Sequence, residues 1–235
     1  MIPMEQLPLH FEFRANQTFN DFFPGANLEL IEHLRRCIAG TGEPFIYLWG
    51  KTGEGKSHLL QACCHEAQHL ELASFYLDLT PAGSFDPQML GGLERYDLVC
   101  FDNIESIAGR PAWEIAFFNF FNRHRDLNHK LIVSSALAPS SLGIELPDLK
   151  TRLNWGLGLK IQPLDDDDRM AALIFKARQR GLEISPQAGR FLLTHTERDL
   201  ASLWNALDKL DLASLSARRK LTVPFLKQVL GIGHG

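Results

Sequence analysis

The sequence predicts an α/β protein: a parallel sheet with helices on both faces, followed by a smaller domain of helices alone. Three observations predict it. A glycine-rich phosphate-loop motif sits between a strand pattern and a helix pattern. Short apolar runs then alternate with helical segments as far as Pro163, and from there the pattern becomes helical only.

The first element is the run Phe45-Ile46-Tyr47-Leu48-Trp49, apolar and β-rich, which reads as a buried strand of a parallel sheet. Directly after it, Gly50-Lys51-Thr52-Gly53-Glu54-Gly55-Lys56-Ser57 spells G-x-x-x-x-G-K-[ST], and a helix over residues 55–69 follows. In such a loop the glycines let backbone N–H groups turn inward around phosphate oxygens. The N-terminus of the following helix adds roughly half a positive charge. Lys56 is placed to reach β- and γ-phosphates, and the Ser57 hydroxyl to ligate Mg²⁺. The expected nucleotide contacts are therefore Gly50, Thr52, Gly53, Glu54, Gly55, Lys56, Ser57 and His58. An adenine nucleotide, ADP or ATP, with Mg²⁺ is the expected ligand.

Further along, strands are expected at 74–79, 97–102 and 130–134, with a helix at 112–126. Trp113, Phe117, Phe120 and Phe121 fall on one face of that helix and read as core, whereas Phe118 points elsewhere. Beyond Pro163 a helix is expected at 165–179, stopped by Gly181 and capped by Asp165. Ser185-Pro186 opens another, with proline at its favoured first position, and helices follow at 198–214 and 222–230. The expected division is an N-terminal arm at 1–17, an α/β nucleotide-binding domain at 18–163 and a helical domain at 164–235.

The strand ending in Asp102 supplies the second half of a phosphate-loop ATPase, where the aspartate holds Mg²⁺ through water. In many such enzymes the next residue is a glutamate that polarises the attacking water. Here it is Asn103, an amide that cannot act as a base, and Glu105 contributes only if the backbone turns it toward the site. Intrinsic hydrolysis is therefore expected to be feeble or absent.

The 235 residues suit one large domain or two unequal ones, with 45% apolar and 22% charged residues as in ordinary globular proteins. A net charge of −4 and a pI near 6.1 argue against a surface built mainly to hold DNA by its phosphates. No signal-peptide pattern and no membrane-length apolar run is present, so a cytoplasmic location is expected. Cys37, Cys63, Cys64 and Cys100 lack paired spacing and read as reduced core thiols.

Together these residues resemble a family. The run 102–109 with the phosphate loop and the helical tail is similar to the AAA+ ATPases close to the bacterial replication initiator DnaA. The run 147–156 resembles that family's segment carrying an arginine finger, a residue that completes a neighbouring subunit's ATP site. The resemblance makes Arg152 the candidate finger in trans. The run 18–27 resembles the linker lying near the nucleotide base, which implies base contacts from Phe19 and Phe22. Glu197-Arg198-Asp199-Leu200 resembles the lid segment whose arginine, here Arg198, approaches the phosphates. At the N-terminus, Gln6-Leu7-Pro8-Leu9 with Phe11 resembles a sliding-clamp-binding motif, compressed because His10 stands where an apolar residue is usual.

The combination is most similar to the Hda family, negative regulators of replication initiation. The resemblance implies partnership with DnaA and with the DNA polymerase sliding clamp, self-association, and no sequence-specific DNA-binding domain. It also implies stimulation of hydrolysis of the ATP that the initiator holds. A loader-like ATPase acting on its own ATP and a nucleotide-stabilised scaffold are the alternatives. Ala136 at the end of the fourth strand stands where the family often has a sensing aspartate, which favours a non-hydrolysing role.

Two further patterns invite chemistry. His65-Glu66-Ala67-Gln68-His69 matches the zinc-peptidase spacing, but it lies at the far end of the phosphate-loop helix with no third ligand at a recognisable spacing. Asp165-Asp166-Asp167-Asp168 lacks the glycine and distal glutamate of a calcium loop and suits a helix start. The alternative for Arg152 is an ion pair with Asp148 one turn earlier on its own helix.

Overall fold

The computed structural model describes residues 17–196, 200–217 and 221–231. Gln6, Leu7, Leu9 and Phe11 of the clamp-like motif, and Arg198 of the lid, lie outside the described residues. Five strands form one parallel sheet in the order β2-β3-β4-β1-β5. They are β1 (Phe45–Trp49), β2 (Ser74–Asp78), β3 (Leu98–Asp102), β4 (Lys130–Ser135) and β5 (Leu157–Lys160). The first strand is central, with Tyr47 opposite Val133 on one side and Gly158 on the other. All five residues of β3 are buried, as a strand covered by helices on both faces requires.

One face of the sheet is covered by α1 (Leu28–Ile38) and α2 (Lys56–His69), the other by α3 (Pro111–Asp126) and the short α4 (Pro147–Leu153). Trp113, Phe117, Phe120 and Phe121 of α3 are all buried, and Phe101 of β3 meets Phe117 and Phe120 with ring centroids 5.1 Å apart. Phe118 is half-buried against the edge of the same layer. The four cysteines are free thiols buried in the α1–α2 layer. Burial pushes Cys37 up to about 12 and holds Cys63 and Cys100 well above the ordinary thiol value.

The expected strands shift slightly at their ends. The strand foreseen at 97–102 starts at Leu98, because the Asp97 carboxylate accepts the Ala73 N–H across the strand mouth. Elements not foreseen are α1 and β5, whereas α4 is the helix expected to carry Asp148 and Arg152. The first buries Leu30, Ile31, Leu34, Cys37 and Ile38 along one stripe, and β5 adds only four residues at the sheet edge.

After β5 come α5 (Asp166–Gln179), α6 (Pro186–His195), α7 (Leu200–Ala217) and α8 (Val223–Leu230). They enclose a separate core that includes Leu173, Leu192, Leu203, Leu207 and Phe225. Asp165 caps α5 by accepting the Asp168 N–H at 2.8 Å, and Ser185 caps α6 by accepting the Ala188 N–H at 3.2 Å. The third helix covers Leu200–Ala217 among the described residues, running past the expected end at 214, while the expected start at 198 lies outside them.

The segment 17–27 ties the two cores together. Asn27 is buried, its amide nitrogen donates to the Gln162 carbonyl at 3.0 Å, and its amide oxygen accepts the Gln162 N–H at 2.7 Å. From the lid, Lys176 donates to the Asp21 carbonyl and Gln179 to that of Asn20.

Candidate nucleotide site and finger helix

The loop after β1 closes on itself before α2 begins. Gly53 (φ +85°) and Gly55 (φ +94°) both take left-handed conformations that L side chains rarely adopt. A Cβ on Gly55 would meet the Phe22 ring at 2.7 Å, so the linker aromatic lies directly on the loop. The Glu54 carboxylate accepts the Lys51 N–H at 2.7 Å, and Lys56 donates to the carbonyls of Gly50 and Lys51 at 2.8 and 3.0 Å. Burial pushes the Lys56 ammonium below its ordinary value, while Asp102, then Glu105 and Glu54, oppose that shift. The lysine at the start of α2 therefore lies in the field of three carboxylates.

Between this loop and the lid lies a cavity of about 540 Å³, a size suited to a nucleotide. Thr52, Gly53, Glu54, Gly55, Lys56, Ser57, His58 and Phe22 of the expected set all line it. Phe19 does not; it is buried in the α1–α2 core with the Arg35 guanidinium 5.1 Å from its ring centre. Gly50 lies behind the loop, where a Cβ would meet Glu54 and Ile161. His58 Nε2 sits 2.8 Å from the Thr18 carbonyl, its ring 5.5 Å from that of Phe22, and burial pushes its pKa down. A neutral His58 thus ties the linker to α2 beside the loop.

The lid contributes residues that no sequence motif marks. Lys176 and Arg180, one turn apart on α5, line the cavity with Trp204 and Asp208 of α7. Arg180 pairs with Asp208 at 2.5 Å, while its Nη1 is buried without a hydrogen-bond partner among the described residues. The i, i+4 spacing of Lys176 and Arg180 was visible in sequence, but not that their face turns toward the loop.

Asp102 is 1% exposed, and both its carboxylate oxygens are engaged: Oδ2 accepts from the Tyr76 hydroxyl at 2.9 Å and Oδ1 from the Ser134 hydroxyl. A carboxylate and the Ser57 hydroxyl form an all-oxygen donor set that fits Mg²⁺, with Ser57 exposed to the cavity. Asn103 has φ +58°, and its amide donates to Asp78 and Thr80 at the end of β2. The turn after it does bring Glu105 back. Glu105 Oε1 accepts the Ala136 N–H at 3.0 Å, and Oε2 is buried with no partner among the described residues.

Arg152 stands on a different surface and does not line the cavity. It makes no ion pair with Asp148 or any other acid among the described residues; its guanidinium lies over the Trp155 ring, 3.9 Å from the centroid. The start of its helix is held by Glu114, a buried side chain of α3. That carboxylate accepts N–H groups of Gly109 at 2.8 Å, Glu145 at 3.0 Å and Leu146 at 2.7 Å.

Residues 166–230 match the family model described as Hda, lid domain. Among solved structures, domain III of the Thermotoga maritima replication initiation protein DnaA superposes with a TM-score of 0.80 at 19% identity, over 94% of this chain and 98% of that one. The fold is that of the DnaA-related AAA+ proteins, and the lid is Hda-like. The AMPPCP-bound DnaA from Aquifex aeolicus follows, with a TM-score of 0.74 at 23% identity over 87% of this chain and 68% of that one. The Holliday junction branch migration motor RuvB of Thermotoga maritima gives 0.66 at 14% over 94% and 73%. The phosphate loop, the lid cavity and the α4 surface thus lie on one DnaA-like fold whose helical lid matches the Hda lid model. Among the described residues no helix is long and apolar enough to cross a membrane. No cluster of three His, Cys, Asp or Glu side chains among them is placed to hold a metal, and His65 and His69 of the zinc-like pattern lie along α2.

Proposed function

We propose that this protein is a negative regulator of DNA replication initiation. In this reading it binds an adenine nucleotide in its own cavity, docks on the sliding clamp through Gln6, Leu7, Leu9 and Phe11, and stimulates hydrolysis of ATP held by DnaA through Arg152. The observation that carries the reading is the contrast between its two surfaces. Its own site places Asn103 where a water-polarising acid is usual and turns that amide toward Asp78 and Thr80. Arg152 stands away from that site, with no acid paired to it among the described residues.

At the chain's own site, the loop N–H groups and Lys56 would hold phosphates beneath Phe22 and the lid, and Ser57 with Asp102 would hold Mg²⁺. When bound, Mg²⁺ neutralises phosphate charge. At the initiator's site, water attacks the γ-phosphorus as the bond to the β-γ bridging oxygen breaks. Charge gathers on the γ-phosphoryl oxygens, and a guanidinium supplied in trans stabilises it; such fingers are worth roughly 10³–10⁵ in rate. The nucleotide in this chain then organises the module rather than turning over.

The test is the hydrolysis rate of radiolabelled ATP pre-bound to DnaA, with DNA-loaded clamp, in the presence of this protein or its Arg152→Ala variant. Strong stimulation by the first and almost none by the second supports the reading; no stimulation by the folded, nucleotide-bound protein refutes it. One observation favours a second reading, hydrolysis of the chain's own ATP: the unpartnered Glu105 oxygen near Lys56. Own turnover that vanishes in Glu105→Gln would favour it.

A further inference from the structure

We propose that Trp155 is the positioning residue for Arg152, a shelf that holds the finger by its face and leaves its edge free. The role rests on the regulator reading above. A guanidinium has two distinct surfaces. Its five N–H donors lie in the plane and make bidentate bonds to phosphate, while its faces stack on aromatic rings. An ion pair with Asp148 would consume the in-plane donors. The stack at 3.9 Å on Trp155 consumes none of them.

The shelf is built to stay in place. The backbone N–H of Trp155 donates to the Arg152 carbonyl at 3.0 Å, and the Asn154 side chain donates to the Lys150 carbonyl at 2.7 Å, so the end of α4 is held by these local bonds. The next residue has no side chain for a steric reason. A Cβ on Gly156 would meet the Phe45 carbonyl oxygen at 2.6 Å and overlap the Phe45 ring, which presses this turn onto the start of β1. Arg125 of α3 also approaches the indole, at 5.8 Å, with its charge met by Asp126 at 3.1 Å. The indole nevertheless remains 56% exposed. A positioning role accounts both for a large aromatic ring left in solvent and for an arginine with no ion pair among the described residues. Meeting the phosphates would desolvate the guanidinium and strengthen the cation–π attraction at the moment the donors are needed.

Stacking also restricts a long side chain before it docks, so less rotamer freedom is lost when the phosphates are met. Removing the shelf should therefore lower the stimulated rate without changing how tightly the protein docks. Trp155→Ala should reduce the maximal stimulated hydrolysis of DnaA-bound ATP by roughly 5- to 30-fold, the range expected for a cation–π contact that becomes desolvated. Its half-saturating concentration should stay within about twofold, and Trp155→Phe, which keeps an aromatic face, should retain most of the rate. A second readout is independent of the partner. In the unaltered protein the Arg152 δ-protons should be shifted upfield by the indole ring current, and the shift should vanish in Trp155→Ala. Unchanged nucleotide affinity in the distant cavity reports that the variant is folded.

Arg152 δ-protons at ordinary positions in the unaltered protein would overturn the proposal. So would a Trp155→Ala variant with normal maximal rate, or one whose only change is a raised half-saturating concentration, which would make Trp155 a docking contact. If the unaltered protein gives no stimulation, the regulator reading itself fails and the positioning role falls with it. That outcome is read from the unaltered protein alone, before any variant is compared.

Discussion

Replacing Glu114 with glutamine should cost more stability than an equivalent change anywhere on the protein surface. The side chain is 1% exposed, and its two oxygens receive N–H groups from Gly109, Glu145 and Leu146, with Glu145 shared between both oxygens at 3.2 and 3.0 Å. Glutamine has the same shape but only one acceptor, and its NH₂ group must face an N–H donor. Whichever way the amide turns, either the Gly109 or the Leu146 N–H is orphaned, and the remaining bonds lose their charge assistance. A hydrogen bond to a charged group is worth about 1.5–3 kcal/mol, and a buried donor left unmet costs about 1–3 kcal/mol. The expected loss is thus about 2–4 kcal/mol of stability in the α/β domain, read from the urea midpoint of a probe in that domain. Leu146 immediately precedes α4, so amides 144–150 should also exchange faster, and on the proposed regulator reading the stimulation that needs Arg152 should fall. A Glu114→Gln variant within about 0.5 kcal/mol of the parent, with unchanged exchange at 144–150, would refute the view that this carboxylate holds the start of α4.

Three other outcomes are expected. Gly55→Ala forces a Cβ at φ +94° into the Phe22 ring, so nucleotide affinity measured by fluorescence titration should fall at least tenfold; the left-handed strain alone is about 1–2 kcal/mol. Phe22→Ala in that background should recover only the part due to the clash. His124, buried against His129 and the Tyr96 carbonyl, has its pKa pushed down from 6.5 to about 4, by burial first and then by the His129 charge. Its folded form stays neutral while the unfolded chain takes up a proton. Stability therefore declines once the pH drops below about 6.5, and the decline from this group ends near pH 4. By pH 5 this amounts to about 2 kcal/mol. His124→Gln should remove that share of the pH slope in urea titrations, and equal slopes would refute the assignment. Asn27→Ala removes both bonds to the Gln162 backbone, worth about 2 kcal/mol, so the Gln162 amide should lose roughly 30-fold in exchange protection while β3 amides stay unchanged.

The parts legible in the sequence share a physical property: their chemistry is made by consecutive residues. A phosphate loop works through backbone N–H groups of one tight turn, so Gly53, Gly55, Lys56 and Ser57 had to be adjacent, and they line the cavity together. Capping is equally local, which is why Asp165 and Ser185 could be read as helix starts. The stripe Leu30, Ile31, Leu34, Cys37 and Ile38 of α1 was readable by the same helical spacing and was passed over. By contrast, β5 is a four-residue edge strand containing a glycine, and its place beside β1 leaves little local pattern. Phe19 shows where a resemblance runs past the physics. It belongs to the linker run, but its neighbour at 22 faces the loop while Phe19 itself turns into the α1–α2 core.

What could not be read is the support beneath the motifs, because it is made by residues far apart in the chain. Glu114 meets Glu145 and Leu146 31 and 32 positions later, and Asn27 meets Gln162 across 135. Such pairings leave a buried glutamate or asparagine looking like any surface residue of a helix. The site follows the same division. Arg152 could be placed by its run of neighbours, but whether it would pair with Asp148 or stand free depended on where the chain went after α4. Gly156 decides that by letting the turn press onto Phe45, which leaves Trp155 beneath the guanidinium instead of an acid beside it. Asn103 is the counterpart at the other surface, since its left-handed backbone sends the amide to Asp78 while Glu105 folds back to Ala136. In both places the residue types were visible, and the backbone path after them determined which polar edge was left available for chemistry.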